Sequence, residues 1–374
     1  MLVTNDVSRD TRVRREARAL MDAGASVIII GVGGQGTSDG DLDIRLVSPP
    51  AASTASARLV RVAVNIVRTW RFDRRMMRAA LMAGADVYHS HDLDTLWAGY
   101  HAARRHRAAL VYDSHELYLE DAGMAGHWRR PLLARLERRL APRAHLVITV
   151  NDAIADELAR RYGIAVPTVV MNGPDRCASA QPVHTPLRVL FQGSYSPGRG
   201  VEELVTSMRT TGSIARLTLQ GFGVLEGELR RLVRELALED VVTFTEPCGP
   251  DDTASEAARH DVGVVGFTDN ALNSRLASPN KFFAYLGGAL AVIVPDVPVM
   301  SEIVKTNGCG IVVSETSASR IAEAVKWMAE HPAELYRMKQ SAARVCAGCG
   351  WAQQSENLVS AYGAMLERSH TCAG

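Results

Sequence analysis

The feature that most constrains this chain is a rhythm: short β-branched runs alternate with segments of helical periodicity from one end to the other. Strands separated by whole helices cannot pair as hairpins. They line up in parallel with the helices covering both faces, so the pattern predicts an α/β fold. In the first half the expected strands are Met1–Thr4, Ser26–Gly31, Asp43–Val47, Val87–His89, Ala109–Tyr112, Leu146–Val150 and Thr168–Met171. The gaps read as helices, for instance Asp10–Ala23, where Val13, Ala17 and Leu20 recur on one face.

The rhythm breaks once. Gly173–Leu187 is rich in Pro, Ser and Ala and has no period, so it reads as an interdomain linker. A second series then runs Arg188–Gln192, Arg216–Gln220, Val241–Phe244, Val262–Val265, Ala291–Val294 and Gly310–Val313, with Glu226–Leu236 the clearest helix. A length of 374 residues suits two such units, at about 150 residues per domain. The expected layout is a first doubly wound domain over 1–175 and a second over 186–351, facing each other across a cleft. A last amphipathic helix at about 352–370, with Leu358, Tyr362 and Leu366 on one stripe, is expected to pack back on the first. In such sheets ligands bind at the carboxyl ends of the strands.

Charge and cysteine usage narrow the setting. The formal charge of +1 conceals a first half (1–180) with 25 arginines, no lysine and 20 acids. That balance suits anionic ligands, a membrane surface or a solvated arginine-rich face, and the run Arg58–Arg78, with Val60, Val64 and Val67 interleaved, could lie on anionic lipid. No apolar run approaches the roughly 20 residues of a membrane span. With no basic leader before Met1–Thr4, a cytoplasmic protein is expected, peripheral at the membrane at most. Six scattered cysteines do not form a disulfide framework. Cys346 and Cys349 form a C-x-x-C pair, but its nearest further ligands are His370 and Cys372 in the tail, so no metal site is expected.

Three segments carry chemistry. Gln192–Gly200 is a glycine-rich loop between a strand and a helix, where backbone amides and Arg199 can cradle a diphosphate. Lys281 follows Ser278-Pro279-Asn280 in the first turn of a helix. A cation there opposes the helix dipole, so an anionic ligand explains it better than structure does. The strand ends Tyr88–Asp92 and Tyr112–Glu116 set His91 beside Asp92, and His115 between Asp113 and Glu116; imidazoles beside carboxylates can orient hydroxyls or shuttle protons. Gly31, Gly33 and Gly36 spell G-x-G-x-x-G, but no helix follows, so nicotinamide-cofactor binding is not expected. Asp92-Leu93-Asp94 has D-x-D spacing, on the first-domain side.

Together these segments resemble the family 4 glycosyltransferases of GT-B fold over nearly the whole chain. Asn5-Asp6 with Asp10-Thr11-Arg12-Val13-Arg14-Arg15-Glu16-Ala17 is similar to the first loop and helix of bacterial members, and Asn172-Gly173 to the end of the first domain. His91-Asp92 and Asp113-Ser114-His115-Glu116 resemble the segments facing the donor sugar, Gly221-Phe222-Gly223 the Gly-x-Gly, and Pro279-Asn280-Lys281 the Pro-x-Lys. The resemblance implies transfer of a sugar from a UDP- or GDP-sugar without a catalytic metal or other cofactor. Catalysis would be mainly electrostatic and positional. Arg199 and Lys281 would stabilise the leaving diphosphate, with amides of Gly193–Gly200, Phe282 and Phe283, while His115 and His91 orient the sugar. Gly193, Ser194, Gly200, Gly221, Gly223, Glu246, Asn280 and Ala284 would line the donor. Asn5, Asp6, Asp10, Arg12, Asp92 and Glu116 would lie on the acceptor side.

The pattern departs from the family where it usually has an Arg (here Ser194) and two Glu residues (here Leu276 and Ala284), and where a Gly and a Pro are replaced by Ala289 and Ala291. Each missing charge-assisted hydrogen bond removes roughly 1.5–3 kcal/mol of interaction. The acceptor is expected to be a small metabolite, O-, N- or S-linked, or a glycan or lipid-linked precursor, and no nucleic acid is implied. A non-catalytic partner subunit and a nucleotide-sugar epimerase are the alternatives.

Overall fold

The computed structural model describes residues 1–8, 10–33, 41–48, 58–268 and 271–371. Gly36 and Cys372 lie outside them, as do the side chains of Val60, Val64 and His370. The chain forms two compact units, Met1–Val170 with Ser355–Gly374, and Met171–Gln354.

The first unit contains β1 (Leu2–Asp6), α1 (Thr11–Asp22), β2 (Ile28–Val32), β3 (Asp43–Leu46), α2 (Arg58–Ala83), β4 (Val87–His91), α3 (Asp92–His106), β5 (Ala109–Ser114), α4 (Arg130–Leu140), β6 (Leu146–Thr149), α5 (Asp152–Tyr162) and β7 (Thr168–Val169). Its seven strands are parallel in the order β3-β2-β1-β4-β5-β6-β7. Neighbouring residues point to opposite faces. Leu2 and Ile30 enter one core with Tyr88, Leu96 and Tyr112; Val3 and Ile29 enter the other with Val13 and Ala17 of α1. Both faces being covered explains why these strands read as continuous apolar runs.

The second unit contains β8 (Leu187–Ser194), α6 (Val201–Thr211), β9 (Ala215–Phe222), α7 (Glu226–Glu235), β10 (Val242–Thr245), α8 (Thr253–Ala257), β11 (Val262–Val264), α9 (Leu272–Leu276), α10 (Asn280–Gly287), β12 (Ala291–Pro295), α11 (Pro298–Asn307), β13 (Gly310–Val313), α12 (Ala318–Glu330) and α13 (Pro332–Cys349). The sheet order is β10-β9-β8-β11-β12-β13, all parallel. Val189 and Phe191 face one core and Leu190 the other. The last helix, α14 (Trp351–Thr371), belongs to the first unit from Ser355 onward. Its buried stripe is Leu358, Tyr362 and Met365, whereas Leu366 is exposed, one residue off the expected stripe.

Two expectations are corrected here. Gly173–Leu187 is not a free linker. It is tied into the second unit by the disulfide Cys177–Cys346, by Ala178 N donating to Gly287 O at 2.7 Å, and by His184 against Asp261 at 3.1 Å. Asp261 is fully buried and also meets buried Lys339 at 2.8 Å, so the segment ends on a closed ion-pair network. Cys346 accordingly pairs with Cys177, 169 residues away, and not within its C-x-x-C. Among the described residues no helix is long and apolar enough to cross a membrane.

Candidate functional site

Each sheet reverses its winding once, between β1 and β4 in the first unit and between β8 and β11 in the second. Strand ends diverge there and leave a crevice beyond their carboxyl ends. The residues singled out in the sequence collect at these two places.

At the second switch point β8 and β9 are in register up to Gly193↔Gly221 and Ser194↔Phe222. A Cβ on Gly221 would stand 1.9 Å from Gly193 O, and one on Gly223 2.4 Å from Tyr195 O, so only glycine lets these backbones close up. Gly200 caps α6 at φ +69°, where a Cβ would meet Thr316 at 2.5 Å. Thr268 N donates to Gly198 O at 3.0 Å and fixes the loop. Ser194 is exposed and its hydroxyl pairs with Ser196 at 2.6 Å.

Onto this frame the chain sets two cations. Lys281 starts α10 half-buried, with Nζ 3.7 Å from the centre of the Phe191 ring and close against Gly193. Arg199 lies 5.3 Å from the centre of the Phe267 ring. Among the described residues neither has a hydrogen bond or an ion pair; the rings give cation–π contact but no counter-charge. Burial, and secondarily the neighbouring Arg199, push the Lys281 pKa from 10.5 down to about 7.

Around them Asn280 is exposed and accepts from Asn172 Nδ2 at 2.8 Å, and Glu246 is exposed just past β10. The expected part for Phe282 is corrected: its ring is in the core and its amide donates to Pro279 O at 2.9 Å, so neither is available to a ligand. The Phe283 ring and Ala284 are likewise buried.

The first switch point is built differently. Arg12, on the inner face of α1, makes a fork to Asp113 at the end of β5, Nε to Oδ2 and Nη2 to Oδ1 both at 2.9 Å, and donates to Val170 O at 2.6 Å. Its Nε also lies 2.9 Å from Glu16 Oε1. Arg12 is therefore a buried strut and not an acceptor contact as expected. His115 is held at Nδ1 by Asp92 (3.2 Å) and at Nε2 by Asp113 (2.9 Å). Asp92 also accepts from His115 N at 3.0 Å, from a left-handed backbone at φ 59° that Asp tolerates better than most residues.

His91 is fully buried behind His115, its Nδ1 3.1 Å from His115 Nε2, so it is not open to a sugar as expected. His89 stacks on His91 at 4.1 Å and bonds Tyr362 of α14 at 2.7 Å. Burial works against a charged His115, but Asp92 and Asp113 overcome it and hold its pKa well above the usual histidine range. Burial, with smaller help from the N-terminal amine and Arg12 and against the pull of Asp113, lowers His89 to about 4.

At the surface of this unit Asn5 donates to Asp10 (3.1 Å), Asp6 accepts from the Ser8 hydroxyl (2.7 Å), and Asp10 caps α1 by accepting from Val13 N (3.2 Å). Glu116 O closes the turn after β5 by accepting from Ser114 Oγ at 2.9 Å. Sequence reasoning assigned no site role to Glu16, His89 and Tyr362, and named Asp113 as a carboxylate beside His115. The signal for Glu16 was a carboxylate on the apolar stripe Val13-Ala17-Leu20; that for Tyr362, more than 270 residues away from His89, exists only in three dimensions.

Two Rossmann-like units, the second with a glycine-lined switch point bearing two cations unpaired among the described residues, are the make-up of a GT-B glycosyltransferase. Sequence comparison agrees: residues 10–176 match the Glycosyltransferase Family 4 model and residues 186–331 the Glycosyl transferases group 1 model. The chain belongs to the family 4 glycosyltransferases and is an enzyme of that type. A D-inositol 3-phosphate glycosyltransferase from Kineococcus radiotolerans is 25% identical over 314 residues, which is 74% of this chain and 71% of the relative. Among solved structures, sucrose-phosphate synthase from Thermosynechococcus elongatus superposes with a TM-score of 0.73 at 18% identity, over 100% of this chain and 99% of that one. HepE of Anabaena, in complex with UDP, gives 0.71 at 13% over 97% and 99%.

Proposed function

We propose that the second unit binds the diphosphate of a UDP-sugar and that the enzyme transfers the sugar, without a catalytic metal, to a lipid-linked acceptor handled by the first unit. The observation that carries the donor reading is the pair Arg199 and Lys281, two cations that among the described residues have no anion partner, beside glycine-opened backbone. Stabilising negative charge that develops on a leaving diphosphate is a task for fixed cations that need not reorganise. The choice of UDP is supported by HepE, whose complexes hold UDP and UDP-glucose. His115 and Asp92, the accessible members of the first cluster, would meet sugar or acceptor hydroxyls, with His91 acting through His115.

The acceptor reading rests on the outside of the first unit. Trp70 (55% exposed), Trp128 (46%) and Leu132 (62%) stand among the exposed Arg71, Arg74, Arg75, Arg138 and Arg139 on α2 and α4. Arg129 is within electrostatic reach of Asp73 on α2, so the two elements contribute to one region. Exposed tryptophan among arginines fits the interface of an anionic bilayer better than it fits water.

The test is thermal stabilisation by UDP, GDP, ADP and dTDP, then transfer from the matching sugar with and without a chelator. UDP is expected to stabilise wild type and not the Arg199→Ala, Lys281→Ala double variant; stabilisation by none of the four would overturn the donor site. Co-sedimentation with anionic but not zwitterionic vesicles, weakened by Trp70→Ala, tests the acceptor side.

A further inference from the structure

The first cluster contains an anomaly that the sugar-transfer reading does not use. Oε2 of Glu16, Nε2 of His89 and Nε2 of His91 are buried and, among the described residues, have no hydrogen-bond partner, while Glu16 Oε1 has the ion pair with Arg12 at 2.9 Å. Buried polar atoms in this number at one spot call for a ligand that satisfies them together. One donor atom from each of Glu16, His89, His91 and Asp113 lies within 4.8 Å of all the others. Two pairs are closer: His89 Nε2 to Glu16 Oε2 is 3.7 Å, and His89 Nε2 to Asp113 Oδ2 is 3.9 Å.

These separations discriminate between occupants. At 3.7 and 3.9 Å the histidine and carboxylates are too far apart to bond each other directly. A water bonded tetrahedrally at about 2.8 Å would hold its partners about 4.5 Å apart. A tetrahedral zinc ion, with ligands at about 2.0–2.1 Å, would hold them about 3.3–3.4 Å apart, nearer the observed values. The surroundings agree. His89 bonds Tyr362 through its other nitrogen, the outer contact that orients a metal-bound imidazole, and Arg12 lies 2.9 Å from an oxygen of each carboxylate.

We propose that Glu16, His89, His91 and Asp113 form a closed structural site for a divalent zinc-type ion, clamping α1, β4 and β5 beneath His115. All four protein ligands are buried, as in structural rather than catalytic zinc sites. The ion is therefore no part of the transfer chemistry, and the site departs from the sequence expectation of no metal.

The test uses full-length protein purified without metal-affinity resin, dialysed against chelator, and reloaded with zinc or cobalt alone. The expected result is one equivalent retained through gel filtration, the visible absorption of tetrahedral cobalt, and a higher Tm than the chelated protein. Glu16→Gln should abolish retention. Tyr362→Phe, which leaves all four ligands in place, should weaken zinc binding about 10- to 100-fold and covers the case in which the first variant does not fold. No retained equivalent, or retention untouched by both substitutions, would overturn the proposal. None of these readouts involves nucleotide, so they stand or fall apart from the donor site.

Discussion

The two switch points of this chain hold charge in opposite ways. In the first unit the buried charged groups at the strand ends face one another: Arg12 is forked onto Asp113, and His115 is gripped by Asp92 and Asp113. In the second, Arg199 and Lys281 face, among the described residues, aromatic rings and each other. A cluster that answers its own charges is a frame, whereas one that leaves like charges uncompensated awaits a counter-ion. The same α/β architecture thus separates a part that is fixed before substrate arrives from a part completed by it.

The largest effect should come from breaking the frame. Arg12→Ala leaves Asp113 buried without its cation and should cost about 3–5 kcal/mol of stability, read as a lower midpoint in urea. Arg199→Ala and Lys281→Ala should do the reverse: stability roughly unchanged, UDP affinity reduced by about 1.5–3 kcal/mol each, or roughly 10- to 150-fold by calorimetry. Equal loss of stability at both switch points would erase the distinction.

The pH dependence sharpens it. Free Lys281 loses its proton near pH 7, but a bound diphosphate restores the charged form. UDP affinity should therefore fall as pH rises above about 7, and binding at pH 8 should take up a proton, seen as a buffer-dependent binding enthalpy. For stability the sign is opposite. The unfolded chain keeps this proton up to about 10.5 and the fold only to about 7, so Lys281 makes the free protein more stable with rising pH across that window.

The smallest effect tests a family departure. Ala289, where relatives commonly have Gly, sits at φ +56°, a conformation that costs a residue bearing Cβ about 1 kcal/mol. Ala289→Gly should recover about that much, read as a higher midpoint in urea.

Much of this was legible in the chain. Each of the thirteen expected strands is present, β2 starts two residues later than expected, and several strands run two residues further at the carboxyl end: β4 to His91, β5 to Ser114 and β8 to Ser194. Those extra residues are polar because they carry the sites, so an apolar pattern stops short of them. Arg199 and Lys281 stood out because a glycine turn and a helix start leave cations there without a structural reason. What was not legible depends on distant contacts. Cys177–Cys346 closes over 169 residues, Tyr362 returns from the far end to His89, and the burial of Arg12 follows only once α1 and β5 are adjacent.

The most direct test of the central claim is isothermal titration of UDP into wild type and into the Arg199→Ala, Lys281→Ala double variant, with folding of both verified by circular dichroism. Measurable binding to wild type and none to an intact double variant is the predicted result. Equal affinity for the two would contradict it, because the unpaired cations would then not be what the nucleotide completes.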